Sequence, residues 1–539
     1  MKVIGKMIDI NNRDIYPAIL HFDKGIINEI ERIKTAPEIF ILPGLIDAHI
    51  HIESSMLTPG AFAQVAVKHG TIGVVSDPHE IANVLGIEGV NYMINDSKKV
   101  PLKFWFGAPS CVPATQFETN GARIDHEEIE GLLARKEIKY LSEMMNYPGV
   151  INHDIEVLLK LNAAKKYLKP IDGHSPGLTG ELLKLYISAG ISTDHECSSL
   201  DEAKEKISLG MKILIREGSA AKNLEALKSL IKTDPQMVML CSDDLHPEML
   251  SLRHLNKIVA KLISDGFDIY DVIKTCTINP ALHYNLNAGS LMRGQPADFI
   301  LVDDYNKMNV LETWIGGNKV FDNGTVLFSY NKGESLNKFN CKRIKQPDIS
   351  VARESKNMLV IEAIEEELLT KKDIIGTGKN RIIESNTDSD ILKIVVKDRY
   401  NDSPPSVGFI KGFKLKKGAF ASSVAHDSHN IICIGTNDED IVSAINEIVA
   451  LKGGLSVSIC GKISSLQLSI AGIMSDLSCD EVASAYENLA QKVISMGCRF
   501  RAPFMTLSFM ALLVIPELKM SDQGLFDGDK FCFTPLFVD

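Results

Sequence analysis

Paired cysteines, an excess of basic charge and long apolar runs are all missing from this sequence of 539 residues. The ten cysteines are scattered singly and form no CxxC pair, which excludes zinc ribbons and fingers and is typical of a reduced, cytosolic chain. Acidic residues outnumber basic ones by 69 to 58, which gives a net charge of −11. A chain with this charge is a poor match to DNA or RNA.

The apolar runs are too short for a membrane span, and the N-terminus is not organised like a signal peptide. The most apolar stretch, residues 507–515, is about half the roughly 20 residues that a membrane-crossing helix needs, and Pro516 ends it. The first ten residues, MKVIGKMIDI, do not place an unbroken apolar stretch after a basic one. We therefore expect a cytoplasmic protein with no membrane contact and no nucleic-acid partner.

What is present is an ordinary globular balance of 45% apolar and 24% charged residues, in a chain long enough for three or four domains. Short apolar runs alternate with segments that carry helix start and stop signals, as in βα units. Eight candidate strands follow one another: 41–46, 73–76, 103–107, 139–141, 170–172, 190–193, 212–215 and 237–241. Eight such units in about 240 residues predict an α/β fold, a (β/α)8 TIM-like barrel over residues 41–285.

Two further parts are predicted around this barrel. Residues 1–40 and 286–340 have β character and predict a small flanking β-sandwich-like domain built from both sides of the barrel. The polar, basic stretch at 336–347 indicates a boundary. The remaining residues, 345–539, mix strands and helices and predict a C-terminal α+β domain.

Side chains that bind metals follow the predicted strands, at the barrel end where TIM-barrel enzymes carry their chemistry. Five of the 14 histidines fall there, with one glutamate and two aspartates: His49, His51, His79, His174, His195, Glu143, Asp243 and Asp244. In the HxH motif both imidazoles point the same way, because side chains alternate along a strand. Imidazole and carboxylate ligands without cysteine suit Mn, Fe or Zn, so the pattern predicts a metal centre.

Each of these residues alone has an ordinary structural explanation. An HxH pair arises on a strand by chance, Glu143 by itself is more often a satisfied or exposed carboxylate, and Asp243–Asp244 resembles a turn or helix cap. The repetition of ligand-type residues at successive strand ends is what favours metal binding.

Several motifs in this chain are similar to those of a known family. PGLIDAHIHIESS resembles the first-strand motif of the amidohydrolase superfamily. Together, SDPHEIANV, APSCVPAT, LSEMMNYPGV, DGHSPGL, REGSAAKN and CSDDLHP resemble the bacterial adenine deaminases. The segments AHDSHNIICIG, SIAGIMSD and SDQGLFDGDKF are similar to that family's additional C-terminal domain, so the likeness runs from the HxH strand almost to the last residue.

The resemblance implies hydrolytic deamination of adenine to hypoxanthine and ammonia, with a metal-activated hydroxide attacking C6 at a binuclear divalent-metal centre. We take Mn²⁺ as the first choice of metal, with Fe²⁺ and Zn²⁺ as alternatives, and a homodimer as the expected assembly. The resemblance implies that His49 and His51 bind the first ion and that Glu143 bridges both ions. It implies that His174 and His195 bind the second ion and that Asp243 completes the site. Asp244 competes for the last of these positions.

Proton transfer and substrate contacts are assigned less directly. Asp243 is expected to take the proton from the attacking water, and either Glu143 or His79 to supply the proton that N1 needs. Three residues on the predicted mouth loops are either purine contacts or ordinary loop structure: Ser110, Arg216 and Glu217. Three residues of the C-terminal domain either reach the active site or form a polar turn: His426, Asp427 and His429.

Two other functions stay open at this point. Another amidohydrolase, such as a cyclic amidase or an N-acyl deacetylase, would share the barrel, but such enzymes often carry a lysine on the fourth strand where this chain has Glu143. A non-catalytic metal-binding relative would have lost ligands, whereas all six positions are filled here. The unrelated zinc deaminases are excluded, because they need a P-C-x-x-C motif.

Overall fold

The structure is a computed structural model that describes residues 1–219, 221–365 and 367–539. Its N-terminal part forms four strands: β1 (Lys2–Asp9), β2 (Asp14–Asp23), β3 (Ile26–Arg32) and β4 (Phe40–Pro43). The first three form an antiparallel meander, and β4 pairs in parallel with β1. In the second half of β2 every second residue is buried, namely Ala18, Leu20 and Phe22, so the meander turns one apolar face inward.

The chain then forms eight parallel strands: β5 (Leu45–Ile50), β6 (Thr71–Ser76), β7 (Lys103–Ala108), β8 (Ile138–Met144), β9 (Ile171–Gly173), β10 (Thr193–Asp194), β11 (Lys212–Arg216) and β12 (Val238–Cys241). They pair in sequence order, β5 to β9 in one sheet and β10 to β12 in another. The two sheets meet where Ser192 N donates to Ile171 O at 2.9 Å, and on the other side through a parallel bridge between Ile50 and Asp243. The predicted (β/α)8 barrel is thereby confirmed.

Helices connect the barrel strands and cover them. They are α1 (Pro59–Ala66), α2 (His79–Leu85), α3 (Ile87–Ser97), α4 (His126–Leu133), α5 (Tyr147–Ile151), α6 (Ile155–Lys166), α7 (Gly180–Ser188), α8 (Leu200–Ser208), α9 (Leu224–Leu227), α10 (Leu230–Thr233), α11 (Pro247–Leu252), α12 (Leu255–Ser264), α13 (Ile269–Thr275) and α14 (Ile278–His283). Local sequence fixes several starts; the side chain of Thr58 accepts a hydrogen bond from Ala61 N, directly before Pro59.

The first and sixth predicted strands were placed wrongly. The stretch predicted as one strand over 41–46 is divided between β4 of the flanking sheet and β5 of the barrel. Gly44 lies at the junction, where an added Cβ would lie 2.2 Å from the Ile72 side chain, so only glycine permits this approach. The strand predicted over 190–193 begins instead at Thr193, because Gly190, with φ +104°, turns the chain out of α7.

After the barrel the chain returns to the N-terminal meander. It adds β13 (Phe299–Val302), β14 (Val310–Ile315), β15 (Asn318–Asp322) and β16 (Thr325–Val326). One eight-stranded sheet results, in the order β16-β15-β14-β13-β4-β1-β2-β3. Its core combines side chains from both ends of the barrel sequence, including Phe22 and Ile41 with Phe299 and Leu301.

The C-terminal part contains α+β structure. Its strands are β17 (Val351–Ala352), β18 (Asn357–Ala363), β19 (Thr370–Gly376), β20 (Ile382–Ile383), β21 (Leu392–Lys397), β22 (Ser406–Lys411), β23 (Ala419–Ser422), β24 (Ile431–Gly435), β25 (Gly454–Ile459), β26 (Lys462–Gln467), β27 (Leu518–Ser521), β28 (Gly524–Asp527), β29 (Cys532–Phe533) and β30 (Phe537–Val538). Its helices are α15 (Asp438–Leu451), α16 (Cys479–Ser495) and α17 (Pro503–Phe509). The main sheet has the order β19-β18-β22-β21-β24-β23-β25-β26, with β30 paired to β18.

The C-terminal domain packs over the end of the barrel at which the parallel strands terminate. His246 Nδ1 lies 2.8 Å from Tyr486 Oη, which joins the loop after β12 to α16. Thr119 donates through its backbone N to Asp522 at 2.9 Å, and Asn430 Nδ2 donates to Thr119 O at the same distance. Within the described residues, no helix is long and apolar enough to cross a membrane.

Candidate metal centre and active site

The HxH motif places two imidazoles together at the end of β5. His49 and His51 are one strand repeat apart, so their rings project to the same side. The two Nε2 atoms lie 3.2 Å from each other. Both residues are buried, which leaves the pair facing the barrel axis rather than solvent.

Asp243, just after β12, faces this pair across the seam of the barrel. Its Oδ1 lies 3.5 Å from His49 Nε2 and 3.3 Å from His51 Nε2, and its Oδ2 accepts a hydrogen bond from Arg216 at 2.7 Å. Burial opposes ionisation, but the Arg216 guanidinium and the two imidazoles hold the pKa of Asp243 well below its usual range. Asp244 instead accepts a hydrogen bond from Ser54 Oγ at 2.5 Å.

Glu143 joins these groups to the histidines on the opposite wall. Its Oε1 lies 3.3 Å from His51 Nε2, and its Oε2 lies 2.8 Å from His174 Nδ1 and 3.1 Å from His195 Nε2. Despite its burial, the neighbouring imidazoles of His195 and His174 hold the pKa of Glu143 well below its usual range. One carboxylate therefore lies between the two halves of the cluster.

The donor set fits divalent metal ions. Nitrogen and oxygen atoms from separate strands converge within 4.8 Å of one another in overlapping groups that include His49, His195 and Asp243, and Glu143, His174 and His195. Buried ring nitrogens that have no hydrogen-bond partner in the described part of the chain include His49 Nδ1 and His174 Nε2. Such atoms are costly to bury unless a ligand satisfies them, and neutral imidazoles with carboxylates are ligands of divalent transition metals.

His79 lies beside the cluster at the start of α2. Its Nδ1 is 3.2 Å from Asp77 Oδ2 and 3.5 Å from Glu143 Oε1, and its Nε2 is 3.6 Å from Glu80 Oε1. Burial works against protonation, yet the surrounding carboxylates, Asp77 first among them, raise the pKa of His79 well above its usual value. The surrounding carboxylates therefore favour the protonated form of the imidazole.

Arg216, a predicted substrate contact, is occupied by protein carboxylates. In addition to Asp243, it binds both oxygens of Glu196, with Nη2 to Oε2 at 2.8 Å. Glu196 Oε1 in turn lies 3.3 Å from His195 Nε2. Arg216 lines the cavity, but its guanidinium orients the acidic groups around the histidines.

The other two predicted substrate contacts lie outside the central cluster. Ser110 Oγ donates to the backbone carbonyl of Glu143 at 2.5 Å and lines a neighbouring cavity with Cys111. Glu217 is half-buried after β11, where its backbone N donates to Cys241 O at 3.2 Å. The structure does not place Glu217 among the residues that line the metal-side cavity.

The C-terminal domain supplies the outer wall of this cavity. Leu368, Phe509 and Leu512 provide apolar surface, and His426 and Asp427 provide polar groups. His426 Nδ1 contacts Glu80 Oε1, and His429 Nε2 lies 2.5 Å from Glu80 Oε2. Burial lowers the pKa of His426, but the carboxylates around it, Glu80 first among them, outweigh this effect and raise the pKa to about 9.

Sequence reasoning missed two acidic residues of this site. Glu80 and Glu196 each directly follow a histidine that was singled out, in SDPHE and TDHE, and both line the cavity. The repeated His-Glu pair was the available signal. The apolar wall residues Leu368, Phe509 and Leu512 had no comparable signal, because their place at the cavity depends on how the two domains pack.

Comparisons with known proteins agree with the motifs. Residues 40–320 match the model of the amidohydrolase family, and residues 367–532 match the model of the adenine deaminase C-terminal domain. An adenine deaminase of Methanosarcina mazei is 49% identical over the full length of both chains. One from Methanosarcina barkeri is 50% identical over 99% of each chain. Among solved structures, a dihydropyrimidinase from Brevibacillus agri matches 61% of this chain and 96% of its own, at 15% identity and a TM-score of 0.48.

Proposed function

Because the chain belongs to the adenine deaminases of the amidohydrolase family, we propose that it hydrolyses adenine to hypoxanthine and ammonia. The observation that carries this proposal is the cluster of buried imidazoles and carboxylates under an apolar wall. The cluster suits a reaction on water, and the wall formed by Leu368, Phe509 and Leu512 suits a flat heterocycle.

A pair of divalent ions would be held by six residues: His49, His51, Glu143, His174, His195 and Asp243. Glu143 would be shared by both ions, which is supported by the contacts of its two oxygens with opposite walls of the site. We take Mn²⁺ as the resident metal, because the donors are only nitrogen and oxygen. When bound, such ions lower the pKa of water towards neutrality and so supply hydroxide at physiological pH.

Asp243 is placed to act as the base. Its carboxylate is kept ionised by Arg216 and the imidazoles, so it is able to accept the proton that the attacking water loses. That proton is then available to the amine, which leaves as ammonia when the bond between C6 and the exocyclic nitrogen breaks. Addition of water and loss of ammonia account for all the atoms of adenine and hypoxanthine.

His79 is the better donor for N1 of the two residues considered. Glu143 is surrounded by three imidazoles that favour its ionised form, so it is a poor source of a proton. His79 is held in its protonated form by the carboxylates around it. We therefore assign His79 to N1 and Glu143 to metal binding.

The test is ammonia release from adenine by enzyme purified without chelator and supplied with Mn²⁺. Guanine, cytosine and adenosine serve as alternative substrates, and Glu143→Gln as the variant that removes the bridging carboxylate. Turnover of adenine alone, lost in the variant together with bound metal, is the expected result. About two ions per chain without turnover of adenine would overturn the substrate assignment while leaving the metal centre intact.

A further inference from the structure

Two histidines of the C-terminal domain hold one carboxylate of the barrel. Glu80 stands on the first turn of α2, and each of its oxygens has its own imidazole: Oε1 contacts His426 Nδ1, and Oε2 lies 2.5 Å from His429 Nε2. Only 2% of Glu80 and 1% of His429 are exposed. The carboxylate is therefore fixed in direction and is shielded from water on the side of the C-terminal domain.

The site of this contact is the cavity wall. Glu80 and His426 both line the cavity that contains the proposed metal ligands, and Glu80 Oε1 is 3.6 Å from the neighbouring His79 Nε2. Asp427, between the two histidines in sequence, approaches His79 Nε2 to 3.7 Å. Residues 426–429 thus place three side chains against the first turn of α2.

Charge explains why an imidazole of the C-terminal domain faces Glu80. Glu80 lies in a region that also contains the carboxylates of Asp427 and Asp244, and a buried anion among other anions is costly unless it is paired. Both imidazoles come from one short segment. Glu80 raises the pKa of His426, which therefore pairs with Oε1 as a cation, whereas burial lowers the pKa of His429, which lies beside Oε2 as a neutral ring. An ionised carboxylate only accepts hydrogen bonds, so what it recognises there is a hydrogen-bond donor, and the donors that adenine offers are N–H groups.

We propose that Glu80 binds an N–H edge of the purine and that His426 and His429 of the C-terminal domain are positioning residues for it. This rests on the proposed adenine deamination. The C-terminal domain then contributes to substrate recognition through a barrel residue, in addition to covering the cavity.

The experiment is a double-mutant cycle on the Mn²⁺-loaded full-length enzyme. His426→Asn and His429→Gln each keep a neutral N–H near the original nitrogen, and Glu80→Gln removes the acceptor charge. We expect each histidine variant to raise KM for adenine by about 10-fold or more, because a misplaced binding group costs up to about 100-fold. In the Glu80→Gln background the same changes should add less than about 2-fold, since the residues act through Glu80.

His246→Gln is the matched control. This histidine is also buried at the interface with the C-terminal domain, but it pairs with Tyr486. KM in this variant should stay within about 2-fold of the wild type, whereas an equal rise would mean that any interface histidine has the effect and would overturn the proposal. The proposal would also be overturned if the rise in KM of a double variant with Glu80→Gln equalled the product of the two single rises. Loss of a metal ion from His426→Asn or His429→Gln would overturn it too.

The same cycle measured on melting temperature separates this proposal from the proposed function. If the changes in melting temperature of the Glu80 and His429 variants are not additive in the double variant, the two residues are in contact, and this result does not depend on the substrate. If the wild type fails to deaminate adenine while the coupling is present, the substrate assignment is wrong and the contact stands. If adenine is deaminated without coupling in either measurement, the positioning role is wrong.

Discussion

The two walls of one cavity are built in different ways. On the barrel side, ligand-type residues stand at the ends of successive parallel strands, so strand pairing alone brings His49, Glu143 and His195 together. On the side of the C-terminal domain, His426 and His429 come from the loop between β23 and β24 and depend on the packing of that domain over the barrel. Side chains placed by strand register are predictable from spacing, whereas for His426 and His429 the sequence left open whether they reach the site or form a polar turn.

The largest effect should come from removing the barrel's base. Asp243→Asn is expected to lower kcat by about 10³-fold, because the variant loses the proposed metal ligand and proton acceptor, roles that each contribute several kcal/mol to such reactions. Asp244→Asn, which alters the partner of Ser54, should lose only about 10-fold. Steady-state kinetics and metal analysis on both variants show which of the two aspartates is the ligand and base. A larger loss of kcat in Asp244→Asn would assign these roles to Asp244.

The second largest effect should come from replacing Arg216, the cation that contacts both Glu196 and Asp243. Arg216→Met leaves Glu196 and the second oxygen of Asp243 without their guanidinium. Loss of one partner from a buried ion pair costs about 3 kcal/mol, so chelator-treated protein should melt at a clearly lower temperature. Arg216→Lys should restore only part of this, because lysine cannot bind both oxygens of Glu196 at once. An unchanged melting temperature in the methionine variant would show that the pair is not needed.

A smaller effect is expected on the wall of the C-terminal domain. Phe509 lines the cavity and its ring lies 5.4 Å from that of His426. Phe509→Leu should raise KM for adenine by about 10-fold with little change in metal content, since apolar contacts of this kind contribute about 1–3 kcal/mol. Leu252→Ala, on the exposed surface of α11, is a fitting control. A fall in kcat with KM unchanged would contradict a role in binding.

The smallest effect concerns pH. The pKa of His426 is raised from its usual 6.5 to about 9 by Glu80, against the effect of burial. The stability that this pair provides is therefore complete below about pH 6.5 and is lost as the pH rises through about 9. The difference in melting temperature between wild type and His426→Asn should shrink over that range. A difference that stays constant from pH 6 to pH 10 would argue against the charged pair.

Most strands of the barrel and most of the candidate metal ligands could be predicted from the sequence. Strand periodicity and helix caps predicted the eight units, and ligand-type residues at strand ends predicted the convergence that the structure contains. The first strand was misjudged because residues 41–46 form one apolar run, and such a run does not reveal that Gly44 divides it between two sheets. Arg216 was left open as a purine contact or loop structure; its pairing with Glu196 and Asp243 was not predictable, because it joins three separate strands and leaves no local pattern.

The interlaced flanking sheet gives the chain a definite order of assembly during synthesis. β4 pairs with β13, which is made more than 250 residues later, so the eight-stranded sheet closes only after the whole barrel has left the ribosome. By then all six proposed ligands are in place, while residues 426–429 have yet to be made. Since N-terminal domains fold first during translation, we expect the newly made barrel to have an open mouth, accessible to metal ions, until the C-terminal domain covers it.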